Sequence, residues 1–366
     1  MRRNLVAIGT FLFMAWCELS LSEQTKAGSA LATGPNIYLP IVRHDQAPTP
    51  TSTSEPTPTA EPIATPTMEP SSTSKPTATT EPTVTHTPTF IPTMTYTSTA
   101  TPPVGSDPIL VGAGDIASCS SSGDEATSTL LDGIVGTVFT LGDNVYDSGT
   151  ASEYTNCYDP SWGRHKSRTR PVPGNHDYQT AGASGYYTYF GAAAGDPSKG
   201  YYSYELGTWH IVALNSNVSM AAGSAQEQWL RRDLAAHPTT CTLAYWHHPR
   251  FSSTFGSSMA SQPLWQALYD ANADVILAGH AHNYERFAPQ DPGGRADTLR
   301  GIRQFVVGSG GKSLHGFGTI LPTSEMRNAD TNGVLKLTLH ATSFDFEFVP
   351  EAGKTFTDKG TNVGCH

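Results

Sequence analysis

The chain has 366 residues, with 22 Lys and Arg set against 32 Asp and Glu, for a formal net charge of −10. That balance excludes nucleic acid or an anionic membrane surface as the main partner, since both select cationic protein surfaces. An anionic ligand would have to be attracted locally.

Met1-Arg2-Arg3-Asn4, the apolar segment from Leu5 to Trp16 and small residues at Ser20 and Ser22 read as a secretory signal peptide over residues 1–22. The apolar part is too short to favour a membrane span, so none is expected after cleavage; an uncleaved N-terminal anchor is the alternative. Trp16 directly before Cys17 argues against lipid attachment there. Residues 23–47 form a short N-terminal segment whose apolar island, Pro35 to Val42, is a spacer or a docking strand. Residues 48–103 are almost entirely Thr, Pro, Ser and Ala. Such a stretch cannot bury enough apolar area to offset chain entropy, which predicts a disordered, semi-rigid stalk. Its composition resembles the stalks of secreted or cell-surface proteins, and an extracellular location, with surface association through the stalk, is the expectation.

Residues 104–366 then remain as one globular domain. Beyond the signal the chain holds Cys119, Cys157, Cys241 and Cys365, an even number in an export context. Of the three pairings, Cys119 with Cys157 is expected because both follow ligand-bearing strand ends on one rim. Cys241 is then left with Cys365.

Pro108 to Asp115 reads as a first buried strand, since its apolar run is short and continuous. Ala126 to Ile134 predicts a helix with Asp124 and Glu125 at its N-terminus, and Phe139 to Asp143 a second strand. Thr169 to Gly174 is too proline-rich for a central strand but can deliver an extended segment to Asn175. Residues 178–200 predict an irregular loop, with Tyr186, Tyr187, Tyr189 and Phe190 as packing. Tyr201–Leu206 and Trp209–Asn215 flank Gly207-Thr208 as a hairpin. Ser224 with Glu227 three residues on caps a helix running to Leu234. Strand Thr242–Trp246, helix Pro263–Tyr269, strand Asp274–Ala278 and strand Gln304–Val307 follow, the last ending in a tight turn at Gly308-Ser309-Gly310-Gly311. Two alternating strands, Gly333–His340 and Ser343–Val349, close the chain. The pattern predicts an α/β fold of mixed sheets covered by helices, with ligands beyond the strands' C-terminal ends.

Five of those ends carry ligand-type side chains: Gly114-Asp115, Gly142-Asp143-Asn144-Val145-Tyr146, Gly174-Asn175-His176-Asp177, Trp246-His247-His248-Pro249 and Gly279-His280-Ala281-His282. Together they look like one dinuclear metal site. Two cations about 3.5–4 Å apart are a recurring device for phosphate ester hydrolysis, and Asp143 is the candidate bridging carboxylate. Imidazoles suit Fe, Zn and Ni, and Asp115 adds anionic charge.

In this order the motifs resemble the calcineurin-like metallophosphoesterase family. Ala117 stands where many members have His, while Gly142-Asp143 with Tyr146 and Gly279 to Arg286 are similar to its purple acid phosphatase branch. The resemblance implies a four-layer α/β/β/α sandwich and Fe(III) at a first site held by Asp115, Asp143, Tyr146 and His282. It implies Fe, Zn or Mn at a second site held by Asp143, Asn175, His247 and His280. Asn175 also faces substrate, and His176 assists the leaving group while a metal-bound hydroxide attacks phosphorus. His248 is a substrate contact or a polar rim residue. The further His of plant-type members is absent from Phe251 to Ser261, and residues 23–103 cannot supply their N-terminal β-sandwich. The implied function is a secreted phosphomonoesterase acting on a phosphate ester. A phosphodiesterase, or a stalked binding module with a structural metal site, is the alternative. His165, His210, His237, His315 and His340 read as ordinary core or surface residues, and Asn217-Val218-Ser219 is a glycosylation sequon.

Overall fold

The structure is a computed structural model that describes residues 107–366. The expected signal peptide, apolar island and Pro/Thr-rich stalk lie outside the described residues. No helix among the described residues is long and apolar enough to cross a membrane.

Two mixed sheets pack face to face. The first has the order Lys359–Gly364, Ser343–Pro350, Gly333–Leu339, Ile109–Ala113, Thr137–Thr140, Thr169–Arg170. The second runs Ser324–Asn328, Tyr284–Phe287, Arg303–Val307, Val275–Ala278, Cys241–Trp246, Trp209–Ala213, Tyr202–Leu206. The side-chain period of two explains why the central strands are apolar without interruption. In Cys241–Trp246, Leu243 and Tyr245 face the core between the sheets, where they join Leu110, Phe139, Leu335 and Phe346. Ala244 and Trp246 point the other way, into a second core with Leu230 and Leu234 of helix Ala225–Ala236 and Trp265 and Leu268 of helix Gln262–Asp270. Helix Gly123–Gly133, with Leu131 buried, covers the outer face of the first sheet, the face to which Val111 and Val138 point. The architecture is the four-layer α/β/β/α sandwich.

The hairpin forms in continuous register from Tyr202↔Ala213 to Leu206↔Trp209. Ser224 caps its helix through its side chain, which accepts from Glu227 N. The structure pairs Cys119 with Cys157 and Cys241 with Cys365, as expected. Residues 178–200 depart from expectation. They hold helix Ser184–Phe190 between short 3₁₀ turns, with breaks at Gly182, Ala183 and Gly191, all at positive φ. Tyr154, Tyr158, Tyr189 and Phe190 pack ring on ring around it, so aromatic contacts fix this segment in place of periodicity. Strand Lys359–Gly364, beyond the two expected to close the chain, escaped prediction, as did strands Tyr284–Phe287 and Ser324–Asn328. The latter two carry Glu285, Arg286, Glu325 and Arg327, and buried Glu285 is held by Ser253 and Ser324.

Candidate metal centre

The site begins with backbone. Asp115, Asp143 and His280 each stand just past a buried strand with φ of 59°, 49° and 68°, in the left-handed region. Outside glycine that region is sparsely used, and Asp and His are among the residues that tolerate it best. The reversal turns each side chain back across the strand ends. The loops after Asp115 and Asp143 then run side by side, with Asp115 N donating to Gly142 O at 3.0 Å and Ile116 N to Asp143 O at 3.0 Å. They finish as a short parallel bridge of Ala117–Ser118 with Val145–Tyr146, which fixes Tyr146 beneath the carboxylates. Gly174 is required by close approach, because a Cβ there would lie 2.1 Å from Asp143 Oδ1.

Asp115, Asp143, Tyr146 and His247 are all at most 2% exposed. The Tyr146 hydroxyl lies 2.9 Å from Asp115 Oδ1, 3.1 Å from Asp143 Oδ2 and 3.1 Å from His282 Nε2. Asp143 Oδ2 also lies 3.3 Å from His247 Nε2, so this carboxylate faces both halves of the expected ligand set. His247 Nε2 is in turn 3.0 Å from Asn175 Oδ1 and 3.2 Å from His280 Nδ1. The outer carboxylate oxygens are held by backbone: His176 N donates to Asp143 Oδ1 at 2.7 Å and His280 N to Asp115 Oδ2 at 2.8 Å.

Two imidazoles are oriented by backbone carbonyls. His247 Nδ1 donates to Leu141 O at 2.7 Å and His282 Nδ1 to Ser313 O at 2.8 Å, which turns both Nε2 atoms inward. Burial opposes a charge on His247, but the Asp143 and Asp115 carboxylates outweigh it and push its pKa up to about 9. Burial and the neighbouring imidazole of His247 push His280 down to about 4. Burial and the two carboxylates hold the Tyr146 phenol well above its usual range. A negative potential buried this deeply, ringed by two carboxylates, a phenol, an amide oxygen and three imidazoles, is a donor set that fits cations preferring mixed oxygen and nitrogen ligation. The expected first-site residues and the expected second-site residues all come together here, sharing Asp143.

His176 sits at the mouth with its side chain 33% exposed, Nδ1 2.6 Å from Asp147 O and Nε2 4.0 Å from Asp143 Oδ2. His248 is held by Ser216, Nδ1 to Oγ 2.8 Å, with its ring 4.4 Å from that of His280. Burial and the His247 and His280 rings push its pKa down to about 3.

Sequence reading missed two neighbours and gave no role to a third, Asp177 of the Gly174 to Asp177 motif. Lys312 Nζ lies 4.4 Å from the centre of the Tyr146 ring and 3.2 Å from Asp147 Oδ1. His315, expected to be ordinary, stacks on His282 at 4.1 Å. Buried Asp177 accepts from Gly174 N at 2.8 Å, Asn144 Nδ2 at 3.0 Å and Tyr154 hydroxyl at 2.5 Å, and so positions the Asn175-His176 loop. The signal for the first two lay in the Gly308 to Gly311 turn. It packs on the centre, and a Cβ on Gly308 would sit 2.7 Å from Asp115 Oδ2.

A profile of the calcineurin-like phosphoesterase family matches residues 110–284, a span that contains every expected ligand. Purple acid phosphatase 15 of Arabidopsis thaliana is 28% identical over 177 residues, covering 39% of this chain and 33% of that protein. Purple acid phosphatase 21 of Arabidopsis thaliana is 36% identical over 97 residues, 24% of this chain and 22% of that one. The chain thus spans about a third or less of the length of these relatives. The solved purple acid phosphatase PPD1 from yellow lupin (Lupinus luteus) seeds superposes with a TM-score of 0.57 at 20% identity, covering 69% of this chain and 53% of that one, a likeness of fold. By motif order, fold and these matches, residues 110–284 carry a calcineurin-like phosphoesterase domain, and the chain resembles the purple acid phosphatases.

Proposed function

We propose that the chain is an extracellular, dinuclear metal-dependent phosphomonoesterase of the purple acid phosphatase type. The observation that carries the reading is the Tyr146 hydroxyl, within 3.1 Å of Asp115, Asp143 and His282 at once. A phenol so placed between two buried carboxylates is raised against ionisation, and only a cation between them would make phenolate the favoured form. Asp115, Asp143, Tyr146 and His282 would hold Fe(III), and Asp143, Asn175, His247 and His280 would hold Fe, Zn or Mn. When bound, the pair supplies Lewis acidity and a nucleophile at ordinary pH.

The chain's own residues do the rest. The carbonyls of Leu141 and Ser313 keep the ligating nitrogens of His247 and His282 directed inward. Asp147 O holds Nδ1 of His176, which leaves Nε2 at the mouth to donate to a phosphoryl or departing ester oxygen. Asn175 and His248 line the approach, and Lys312 places a cation in the path of an anion that the net charge of −10 would otherwise repel. The two disulfides suit export to an oxidising compartment.

The test is the visible absorption spectrum and metal content of the wild-type protein and of Tyr146→Phe, with hydrolysis of a phosphate monoester and a diester measured beside them. A charge-transfer band lost in the variant, with monoester turnover sensitive to chelator, is the expected result. A colourless protein with full activity would remove iron from the first site. Preference for the diester would move the reading to a phosphodiesterase, and bound metal without turnover of either ester would favour a binding module.

A further inference from the structure

Phe255 is a large apolar side chain left 57% exposed on the rim of a polar centre. Its turn is rigid from below. Ser252 and Gly256 exchange backbone hydrogen bonds of 3.2 and 2.7 Å, and the buried Ser252 hydroxyl accepts from Thr254 N at 3.1 Å and Phe255 N at 3.4 Å. The adjoining Ser253 is locked to buried Glu285, whose carboxylate accepts from Ser253 N at 2.8 Å. An aromatic ring held in water by a buried anchor is costly to expose unless something covers it.

The ring centre of Phe255 lies 5.1 Å from that of His280, which lies 4.4 Å from His248. These three rings, with Pro249 and Ser258, line a cavity of about 150 Å³. A cavity of roughly that volume can take a benzene ring. The next apolar residue of the loop, Met259, is 68% exposed. The flank at Tyr146 is different, since Lys312, Asp147 and His176 make it charged and polar.

We propose that this cavity takes the organic group of the substrate, and that the favoured class is an aryl phosphate monoester whose ring packs on Phe255. The inference rests on the phosphomonoesterase reading and adds the substrate class to it. In the reaction, water's oxygen bonds to phosphorus, the P–O bond to the aryl group breaks, and a proton goes to the departing oxygen. The products are a phenol and inorganic phosphate.

Two pairs of probes test it on the metal-loaded full chain. Binding of phenylphosphonate and methylphosphonate, neither hydrolysable, is measured by calorimetry, and steady-state kinetics are run with phenyl phosphate and glycerol 2-phosphate. Phe255→Ala is expected to raise Kd for phenylphosphonate and KM for phenyl phosphate about five- to tenfold, leaving methylphosphonate and glycerol 2-phosphate within about twofold. Phe255→Trp should restore the aromatic preference. Equal losses for both members of each pair, or no loss at all, overturns the proposal. Wild-type protein that prefers phenylphosphonate yet hydrolyses neither ester would sink the phosphatase reading and leave the aromatic pocket standing. Turnover of both esters with Phe255→Ala indifferent sinks only the pocket, and no phosphonate binding sinks both.

Discussion

Among the described residues, two clusters of imidazole and carboxylate bring their ligand atoms within 4.8 Å of one another. One is the centre around Asp115, Asp143 and His247. The other joins His210 of strand Trp209–Ala213 to Asp233 and His237 at the helix Ala225–Ala236. They differ in what the ring nitrogens do. His210 Nδ1 lies 2.7 Å from Glu205 Oε1 and Nε2 2.8 Å from Asp233 Oδ2, so both nitrogens are spent on carboxylates, an arrangement that favours the imidazolium. At the centre, His247 and His282 each spend Nδ1 on a backbone carbonyl and aim Nε2 at a shared focus. A cluster whose central ring has both nitrogens bound to carboxylates staples elements together. One whose nitrogens converge on carboxylates has room for cations.

The sharpest way to break the comparison is at Asp143. Asp143→Ala is expected to lose at least one metal per chain, because its carboxylate faces both halves of the ligand set. The same change should lower kcat/KM for a phosphate monoester by about a thousandfold or more. Elemental analysis beside kinetics checks it. Asp233→Ala should leave both metal content and activity per folded molecule unchanged. If Asp143→Ala keeps two metals while Asp233→Ala loses one, the two clusters have been assigned the wrong way round.

Asp233→Ala should instead cost stability. It leaves His210, which is fully buried, without its closest carboxylate apart from half-exposed Glu205, a loss of about 3 kcal/mol in urea denaturation. Burial lowers the His210 pKa, but hydrogen bonds to Asp233 and Glu205 outweigh it and the net shift is upward. That contribution is complete below the ordinary imidazole value, about 6.5, and fades as pH rises through the elevated folded one. Burial raises Asp233, yet the hydrogen bonds from His210 and Ser203 outweigh it and the net shift is downward. Its contribution is complete above about 3.9 and is lost as pH falls through the depressed value. The stability gap between wild type and variant should therefore be widest between about pH 4 and 6.5 and narrow above it. A gap that does not change with pH would mean the triad is not an ion pair.

The same contrast governs what could be read in advance. The strand ends announced themselves because apolar runs stop abruptly at Asp115, Asp143, His247 and His280, and burial forces continuous apolar runs in central strands, while Asn175 follows the proline-rich segment from Thr169 to Gly174. The His210 triad gave no such notice, since His210 interrupts an apolar strand, Trp209 to Ala213, by a single polar residue whose partners come from another strand and a helix. Charged strands such as Tyr284–Phe287, with Glu285 and Arg286, were hidden for the same reason: their buried polar groups are satisfied by residues distant in sequence. For Lys312 and His315 the sole signal was the Gly308 to Gly311 turn, which reads as a simple link between strands until its packing on Asp115 is seen.

Lys312 offers the smallest effect and the finest distinction. It is not a ligand in either expected set, and it holds its ammonium over the Tyr146 ring while pairing with Asp147, whose side chain is 82% exposed. A cation over a ring at a partly exposed site is worth about 0.5–1 kcal/mol. Lys312→Met should raise KM for a phosphate monoester about two- to fivefold and leave kcat within about twofold, as expected of a group that attracts the dianion without touching the reacting atoms. Because the attraction acts through solvent, the difference should shrink as ionic strength rises from about 0.01 M to 0.15 M, where the Debye length falls from about 30 to 8 Å. A fall in kcat with KM unchanged would place Lys312 in the chemical step, and an effect indifferent to salt would mean that the methylene stem packed on Tyr146 matters more than the charge.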